Sequence, residues 1–460
     1  MFAVVRGVAL DNPPMIARRT SEIFAASIAS SRAPAAAFGI VTNGSLVDAE
    51  FIGGVSSSTR FRIASMTKSF TAALTLLLRD EGVLDLDVPV AILAPELRPI
   101  DEALHGAWPD AVPVTLRHLL TMSSGLANDD PWADRHLDTT AAEFEAFLSG
   151  GLVSVFAPGT GFEYSNVGYA SIGRVIERVT GKTVQTLITE RILGPLAMTA
   201  TGWDLPADTD DWARPHRLDD DVVSVEPQLP GDGVIAPMGG LWTTLDDLTR
   251  WVAHLCDPAS PGPIGSEARR EMQASHTPIR PSDILPIGGG YGMGLNRLGD
   301  RAVGPIVEHS GGLPGYGSNM QWLADGSIAL IGMANITYAR MFRMNRTILR
   351  NLVQSAPSGS RHPMTELGER LVALVNDWTD GGASALFSDN MALDDSFARR
   401  AAASAKLVGE HGPLELVAVD PAHPAAATLT ILGTTSNRLL ACDVSRSPHA
   451  RPMIQYYRFG

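Results

Sequence analysis

Two hairpin signals, set far apart along the chain, constrain the fold more than any other feature of the sequence. The first is Asn43-Gly44 inside "AAFGIVTNGSLVDAEFIGGV", between two apolar stretches. A tight two-residue turn needs positive φ at both central positions, which Asn and Gly tolerate and most residues do not. The second is Asp325-Gly326 inside "IVEHSGGLPGYGSNMQWLADGSIALIGMAN". Between them, over residues 114–255, the pattern is helical and loop-rich. Strands at both ends with helices between predict an α+β domain whose sheet joins N- and C-terminal segments. The spacing predicts a helix over residues 15–30, before the first hairpin, and another in "ARMFRMNRTILRNLVQ", after the second.

At 460 residues the chain is too long for a single core. The small, polar, proline-containing "SAPSGSRHP" marks a linker. The expected organisation is one domain over residues 1–355, a linker over 356–363 and a small C-terminal α+β domain over 364–460. That last segment shows helical spacing over residues 365–378 and 394–410, followed by the strand-like runs "LELVAV", "ATLTIL", "RLLACDV" and "MIQYYRF". Leu371, Leu374 and Val375 lie on one helical face and need a partner surface, either that module's own sheet or the first domain. His362, His411, His423 and His449 are irregularly spaced and offer no metal geometry.

Charge and composition exclude several functions. Acidic residues outnumber basic ones by 50 to 36, a formal net charge of −14. That balance argues against nucleic acid or an anionic membrane as partner. No run reaches the roughly 18 apolar residues that span a bilayer. The N-terminal "MFAVVRGVALDNPP" lacks the charged start, long apolar middle and small-residue cleavage site of a signal peptide. Cys256 and Cys442 make no disulfide framework and fit a reducing compartment, so the expected location is cytoplasmic.

The chemistry centres on "FRIASMTKSF", residues 61–70. Ser65 and Lys68 are three apart, so on a helix they share a face. A helix N-terminus favours the negative charge a serine alkoxide develops. A desolvated lysine beside it loses basicity and can take or relay a proton. The competing reading makes Ser65 a helix cap and Lys68 a solvated lysine. Phe70, Leu74, Leu77 and Leu78 continue the helical spacing, with Gly82 as the stop. Farther on, "PGTGFEYSNVGYASIGRVIERV" carries Tyr164 and Asn166. A tyrosine whose phenolate is stabilised by lysine can act as general base, and an asparagine can bond a substrate amide. A half-buried aromatic and a helix cap are the competing readings. In "EHSGGLPGYGSN", His309 is a polar or proton-carrying contact, and the glycines that follow let a substrate backbone approach and supply an oxyanion donor.

In "RIASMTKSFTA", "VTLRHLLTMSSGL", "PGTGFEYSNVGY", "APMGGLWTTLDDLTRW" and "VEHSGGLPGYGSNM", the chain resembles the serine hydrolases related to class C β-lactamases and penicillin-binding proteins, over roughly residues 15–355. The resemblance implies a β-lactamase/transpeptidase-like domain, an antiparallel sheet flanked by helices plus a helical subdomain, with the active site where they meet. By similarity Ser65 is the acylated nucleophile, and Lys68 and Tyr164 share proton transfer. Asn166 faces the substrate, and the amides of Ser65 and Gly312 form the oxyanion hole, with Gly311 beside them. The third motif departs from the family's K-T-G, reading His309-Ser310-Gly311. Without that lysine the cation that meets a substrate carboxylate is gone. The pattern is then similar to the esterase, D-aminopeptidase and D-amino-acid amidase branches, and to penicillin-binding-protein-type thioesterases that cyclise peptides.

The expected function is acyl transfer from an ester, thioester or amide, D-amino-acid peptides included. β-Lactam hydrolysis is the weaker enzymatic alternative, and a catalytically silent sensor or scaffold is the non-enzymatic one. The expected partner is a small-molecule or peptide acyl substrate, with no cofactor and no metal, and a dimer stays open. His118 reads as structural, and Asp129 and Asp130 as a loop beside the cleft with a substrate contact in reach. Trp132 and Trp242 read as pocket or core, Tyr316 as a pocket wall, and Arg399-Arg400 as a solvated helix face.

Overall fold

The structure is a computed structural model that describes residues 4–5, 8–9, 13–205, 207, 209–280, 289–354, 363–448 and 451–460. The linker expected over 356–363 lies outside these residues except for its last position. Spatial contacts divide the chain into two compact units. One comprises Arg32–Gly299 and Pro305–Phe342, the other Met1–Ser31, Asp300–Gly304 and Arg343–Gly460.

In the first unit the Asn43-Gly44 turn forms with φ of 49° and 72° and joins the strands Ala36–Thr42 and Ser45–Ile52. These open an eight-stranded sheet. Its order is Ser45–Ile52, Ala36–Thr42, Ala329–Ala334, Tyr316–Leu323, Ile306–Leu313, Asn296–Leu298, Gly289–Tyr291 and Thr277–Ile279, every neighbour antiparallel. Phe38 stands opposite Gly332, so segments from opposite ends of the sequence pair directly. Alternating and continuous apolar runs found these strands because apolar burial, not local propensity, decides them. Helix Leu245–Cys256, capped by Thr244 accepting from the Asp247 N–H, packs on this end of the sheet.

Helix Thr67–Asp80 lies against helices Asn166–Thr180 and Ser266–Gln273. Its Phe70, Leu74 and Leu78 are buried and Leu77 is half-buried, as their spacing requires. Gly82 follows its last turn at φ 73°, the left-handed conformation that ends a helix. Phe70 stacks on Trp251 at 4.2 Å and ties the helix to Leu245–Cys256.

The second unit carries a four-stranded antiparallel sheet, Leu414–His423, Ala426–Gly433, Arg438–Arg446 and Ile454–Phe459. Leu371, Leu374 and Val375 of helix Pro363–Asn376 are buried in one cluster with Leu429, Ile431 and Val444. The partner of that helical face is therefore the module's own sheet. Helix Asp380–Leu386 escaped the sequence reading because Gly381-Gly382 breaks its apolar pattern. Helix Pro13–Ser31 and most of Met341–Gln354 also fall in this unit, so the grouping cuts the chain elsewhere than the boundary expected at 355. Ion pairs account for part of it: Arg350 reaches Asp300 at 2.7 Å and Asp420 at 2.6 Å, and Arg18 reaches Glu415 at 3.5 Å. Arg399 is solvated as expected, whereas Arg400 donates to the Met391 and Asp395 carbonyls and lies over the Tyr457 ring. Among the described residues no helix is long and apolar enough to cross a membrane.

Candidate active site

Ser65 sits in a single 3₁₀ turn, Ala64–Met66, immediately before helix Thr67–Asp80. The preceding Ala64 is held at φ 49°, a region a non-glycine residue occupies only when its surroundings force it. Those surroundings are visible. The Ile63 N–H donates to the Leu241 carbonyl, and the Ser318 hydroxyl donates to the Ile63 carbonyl at 2.9 Å. The sheet approaches this turn so closely that a Cβ on Gly311 would stand 2.1 Å from the Ile63 oxygen. Only glycine permits that contact.

Lys68 has no exposed surface. Its Nζ donates to Ser65 Oγ at 2.9 Å, Asn166 Oδ1 at 2.6 Å and the Met238 carbonyl at 2.9 Å. It also lies 4.8 Å from the centroid of the Tyr164 ring. Burial lowers its pKa to about 8, against the opposing pull of Asp130, Asp134 and Asp129. Asn166 is equally buried, and its Nδ2 donates to Asp130 at 2.8 Å. The amide thus forms an internal bridge that runs Lys68–Asn166–Asp130. Asp129 accepts from the Asn166 and Val167 N–H groups at 2.8 and 2.7 Å and anchors the start of helix Asn166–Thr180.

Tyr164 is half-buried and lines the same cleft as Ser65. Burial first, and then the nearby Asp130, raise its pKa well above the ordinary phenol value. A resting phenolate is disfavoured, which corrects the expectation that lysine stabilises one. Of Tyr164 and Lys68, Lys68 is the one able to shed its proton near neutral pH. His309 is 3% exposed, and burial followed by the Lys68 charge lowers its pKa to about 3. It is neutral. With Nδ1–H donating to the Ser310 carbonyl at 2.6 Å, Nε2 is left to accept from the Tyr291 hydroxyl at 3.3 Å. Histidine here replaces a cation with an uncharged wall.

The direction of the amides in the third motif follows from register. The Ala324 N–H donates to the Pro305 carbonyl, so the facing pair Ile306 and Leu323 exchanges no bonds of its own. Alternation along an antiparallel ladder then turns the N–H groups of Glu308, Ser310 and Gly312 to the other edge. Glu308 meets Asn296 there, and strand Asn296–Leu298 extends no farther along it. Among the described residues no strand pairs with this edge beyond Glu308, so the Gly312 N–H points out from it. That edge borders a cleft of about 490 Å³ lined by Ser65, Tyr164, His309, Gly311 and Gly312 together with Asp130, Asp134 and Tyr338.

The structure thus gathers every expected site residue around one cleft, although Lys68 and Asn166 sit beneath its surface. The sequence reading missed Met238, Asp134, Tyr291 and Tyr338. Met238 lies in the quoted "APMGGLW", but it acts through its carbonyl, which no side-chain pattern advertises. His118 is structural, paired with Thr115 in a capping box. Trp132 stacks on Phe147 and His136, and Trp242 is buried core. Tyr316 is no pocket wall: it is 2% exposed, with its hydroxyl on the Ala213 carbonyl.

Residues 20–354 match a protein-family model described as Beta-lactamase. Protein Rv1367c of Mycobacterium tuberculosis is 30% identical over 310 residues, which cover 59% of this chain and 76% of that protein. An octameric penicillin-binding protein homologue from Pyrococcus abyssi aligns in structure with a TM-score of 0.65 at 21% identity, over 96% of this chain and 99% of that one. A D-stereospecific amidohydrolase from Streptomyces sp. aligns with a TM-score of 0.58 at 22% identity, over 75% of this chain and 99% of that one. These two structural likenesses concern the fold.

Proposed function

The chain belongs to the beta-lactamase family, a family of serine acyl-enzyme hydrolases, and on that premise we propose that it hydrolyses or transfers the acyl group of uncharged esters, thioesters or amides through Ser65. One observation carries the reading: a lysine with no exposed surface donates to the Ser65 hydroxyl at 2.9 Å. An ordinary structural lysine is not buried at that cost, since each unit of lowered pKa is about 1.4 kcal/mol. In its neutral form Lys68 accepts the Ser65 proton as Oγ bonds to the substrate carbonyl carbon. The carbonyl electron pair moves to oxygen, beside the outward N–H of Gly312. As that pair returns, the bond to the leaving group breaks, and the Tyr164 hydroxyl passes a proton to the departing atom while Lys68 replenishes it. Water or an amine repeats the sequence in reverse on the acyl-enzyme. Asn166 keeps Lys68 aimed at Ser65, with Asp130 holding Asn166.

Neutral His309 favours substrates that carry no carboxylate next to the scissile bond, so nitrocefin is expected to turn over more slowly than a p-nitrophenyl ester. The deciding experiment treats the protein with a fluorophosphonate and maps the adduct by mass spectrometry. We expect the label on the peptide containing Ser65 and no ester turnover in Ser65→Ala. A label elsewhere, or unchanged turnover in that variant, overturns the proposal.

A further inference from the structure

Tyr338 lies outside the sequence motifs, yet it spans the cleft. It is held at φ 54°, where a tyrosine is strained, and its N–H donates to the Tyr316 carbonyl at 3.1 Å. On the sheet side its ring packs on Gly312 so tightly that a Cβ there would stand 2.7 Å from Tyr338 Cδ1. On the helical side its hydroxyl donates to Asp134 Oδ2 at 2.8 Å and accepts from Arg135 at 3.4 Å. The residue is 42% exposed and lines the cleft. A strained backbone fixed by bonds to both walls belongs to a group whose position is specified, and chain connection alone does not demand it.

The free edge at Gly312 is where an extended substrate would lie, because its outward N–H and C=O groups can pair with a peptide or amide backbone. Tyr338 covers the face of the strand at Gly312, beside that edge, and reaches Asp134 on the opposite wall of the cleft. We propose that Tyr338 is a specificity-determining bar that limits how far a substrate can extend along this edge, so that the cleft takes short acyl substrates and rejects long ones. The inference rests on the reading of Ser65 as nucleophile, and the test separates the two.

Tyr338→Gly suits the test, since glycine accepts the positive φ and removes the ring without adding strain. Two ester series should be assayed on the full chain, one lengthening the acyl part of a p-nitrophenyl ester from two to ten carbons, the other lengthening the alcohol of an acetate ester. In Tyr338→Gly the kcat/KM ratio of the longest to the shortest substrate should rise at least about tenfold in one series. Tyr338→Phe, which keeps the ring and loses the tie to Asp134, should give a smaller rise. In parallel, binding of a decanoyl anilide should be measured by calorimetry on Ser65→Ala and on Ser65→Ala combined with Tyr338→Gly. Tighter binding in the double variant, with no ester turnover by the unaltered protein, would uphold the bar and discard the nucleophile. Ratios that move less than twofold in both series, or unchanged anilide affinity where there is no turnover, overturn the bar.

Discussion

Lys68 Nζ lies one helical turn from Ser65 Oγ, 2.9 Å away, and the protein leaves it no water at all. Its three donors meet three acceptors, Ser65, Asn166 and the Met238 carbonyl. That satisfies an ammonium, so the resting lysine is charged. Yet burial has lowered its pKa to about 8, within reach of neutral conditions. The geometry thus holds Lys68 in its protonated form and makes the proton easy to lose.

A pH dependence follows. In the proposed mechanism the neutral lysine is the reactive form, and its fraction grows as pH rises through about 8. Acylation kcat/KM for an uncharged ester should climb close to tenfold per unit between pH 5.5 and 7 and level off above about 8.5. His309, with its pKa near 3, contributes no second step over that range, whereas Asp134, raised to about 7, ionises within it and favours the Lys68 ammonium, which makes the rise shallower near pH 7. Stopped-flow release of p-nitrophenol across pH 5 to 9.5 measures this. A flat profile would remove Lys68 as the base.

Substitution separates Lys68 from Tyr164. Lys68→Ala should lower kcat by about 10² or more, and Tyr164→Phe by a similar factor. If Tyr164 delivers the proton to the leaving group, the Tyr164→Phe defect should shrink for p-nitrophenyl esters, which leave without protonation, and grow for amides. Equal losses on both substrates would contradict that role.

The sequence made much of this site legible, for an identifiable reason. Ser65, Lys68, Tyr164 and His309 bring together side chains whose types are rare in combination, and turn-forming Asn43-Gly44 and apolar periodicity expose the sheet and the helix that follows Ser65. What stayed hidden acts through other means. Met238 contributes a carbonyl, and Asn166 appears in its motif without showing that Asp130 occupies its far side. The protonation state of Tyr164 depends on burial, which no short motif encodes. Tyr338 and Asp134 are far apart in sequence and meet only across the folded cleft. In the C-terminal unit the tie from Arg350 to Asp300 and Asp420 is likewise a product of tertiary contact.

Gly311→Ala tests how tightly the sheet is fitted to the nucleophile turn. The new methyl would lie 2.1 Å from the Ile63 carbonyl oxygen, which is backbone and has no rotamer to yield. Either the strand or the turn must move. The variant should lose about 1–3 kcal/mol in urea unfolding and at least about tenfold in ester kcat/KM, because Ser65 follows Ile63 by two residues. Unfolding midpoint and activity both within error of the parent would show that the approach is looser than the structure has it.

Asp134 gives a prediction about stability alone. Its carboxyl is 3% exposed, and burial first, then the Asp130 charge, raises its pKa to about 7 despite the hydroxyl of Tyr338. The folded state therefore binds a proton that the unfolded chain releases near pH 4. Between about pH 4 and 7 the folded protein holds more protons than the unfolded one, so this group's contribution to stability falls as pH rises and is fully lost above about 7. Asn at this position keeps an acceptor for Tyr338 and carries no charge. Asp134→Asn should accordingly be more stable than the parent at pH 8, by about 1–3 kcal/mol, and should keep only a small part of that advantage at pH 4.5. Thermal or urea unfolding of both proteins at the two pH values provides the comparison. A variant less stable than the parent at pH 8 would mean that the Asp134 carboxylate is paired and ionised in the folded protein, and the assignment of a protonated carboxyl beneath Tyr338 would be withdrawn.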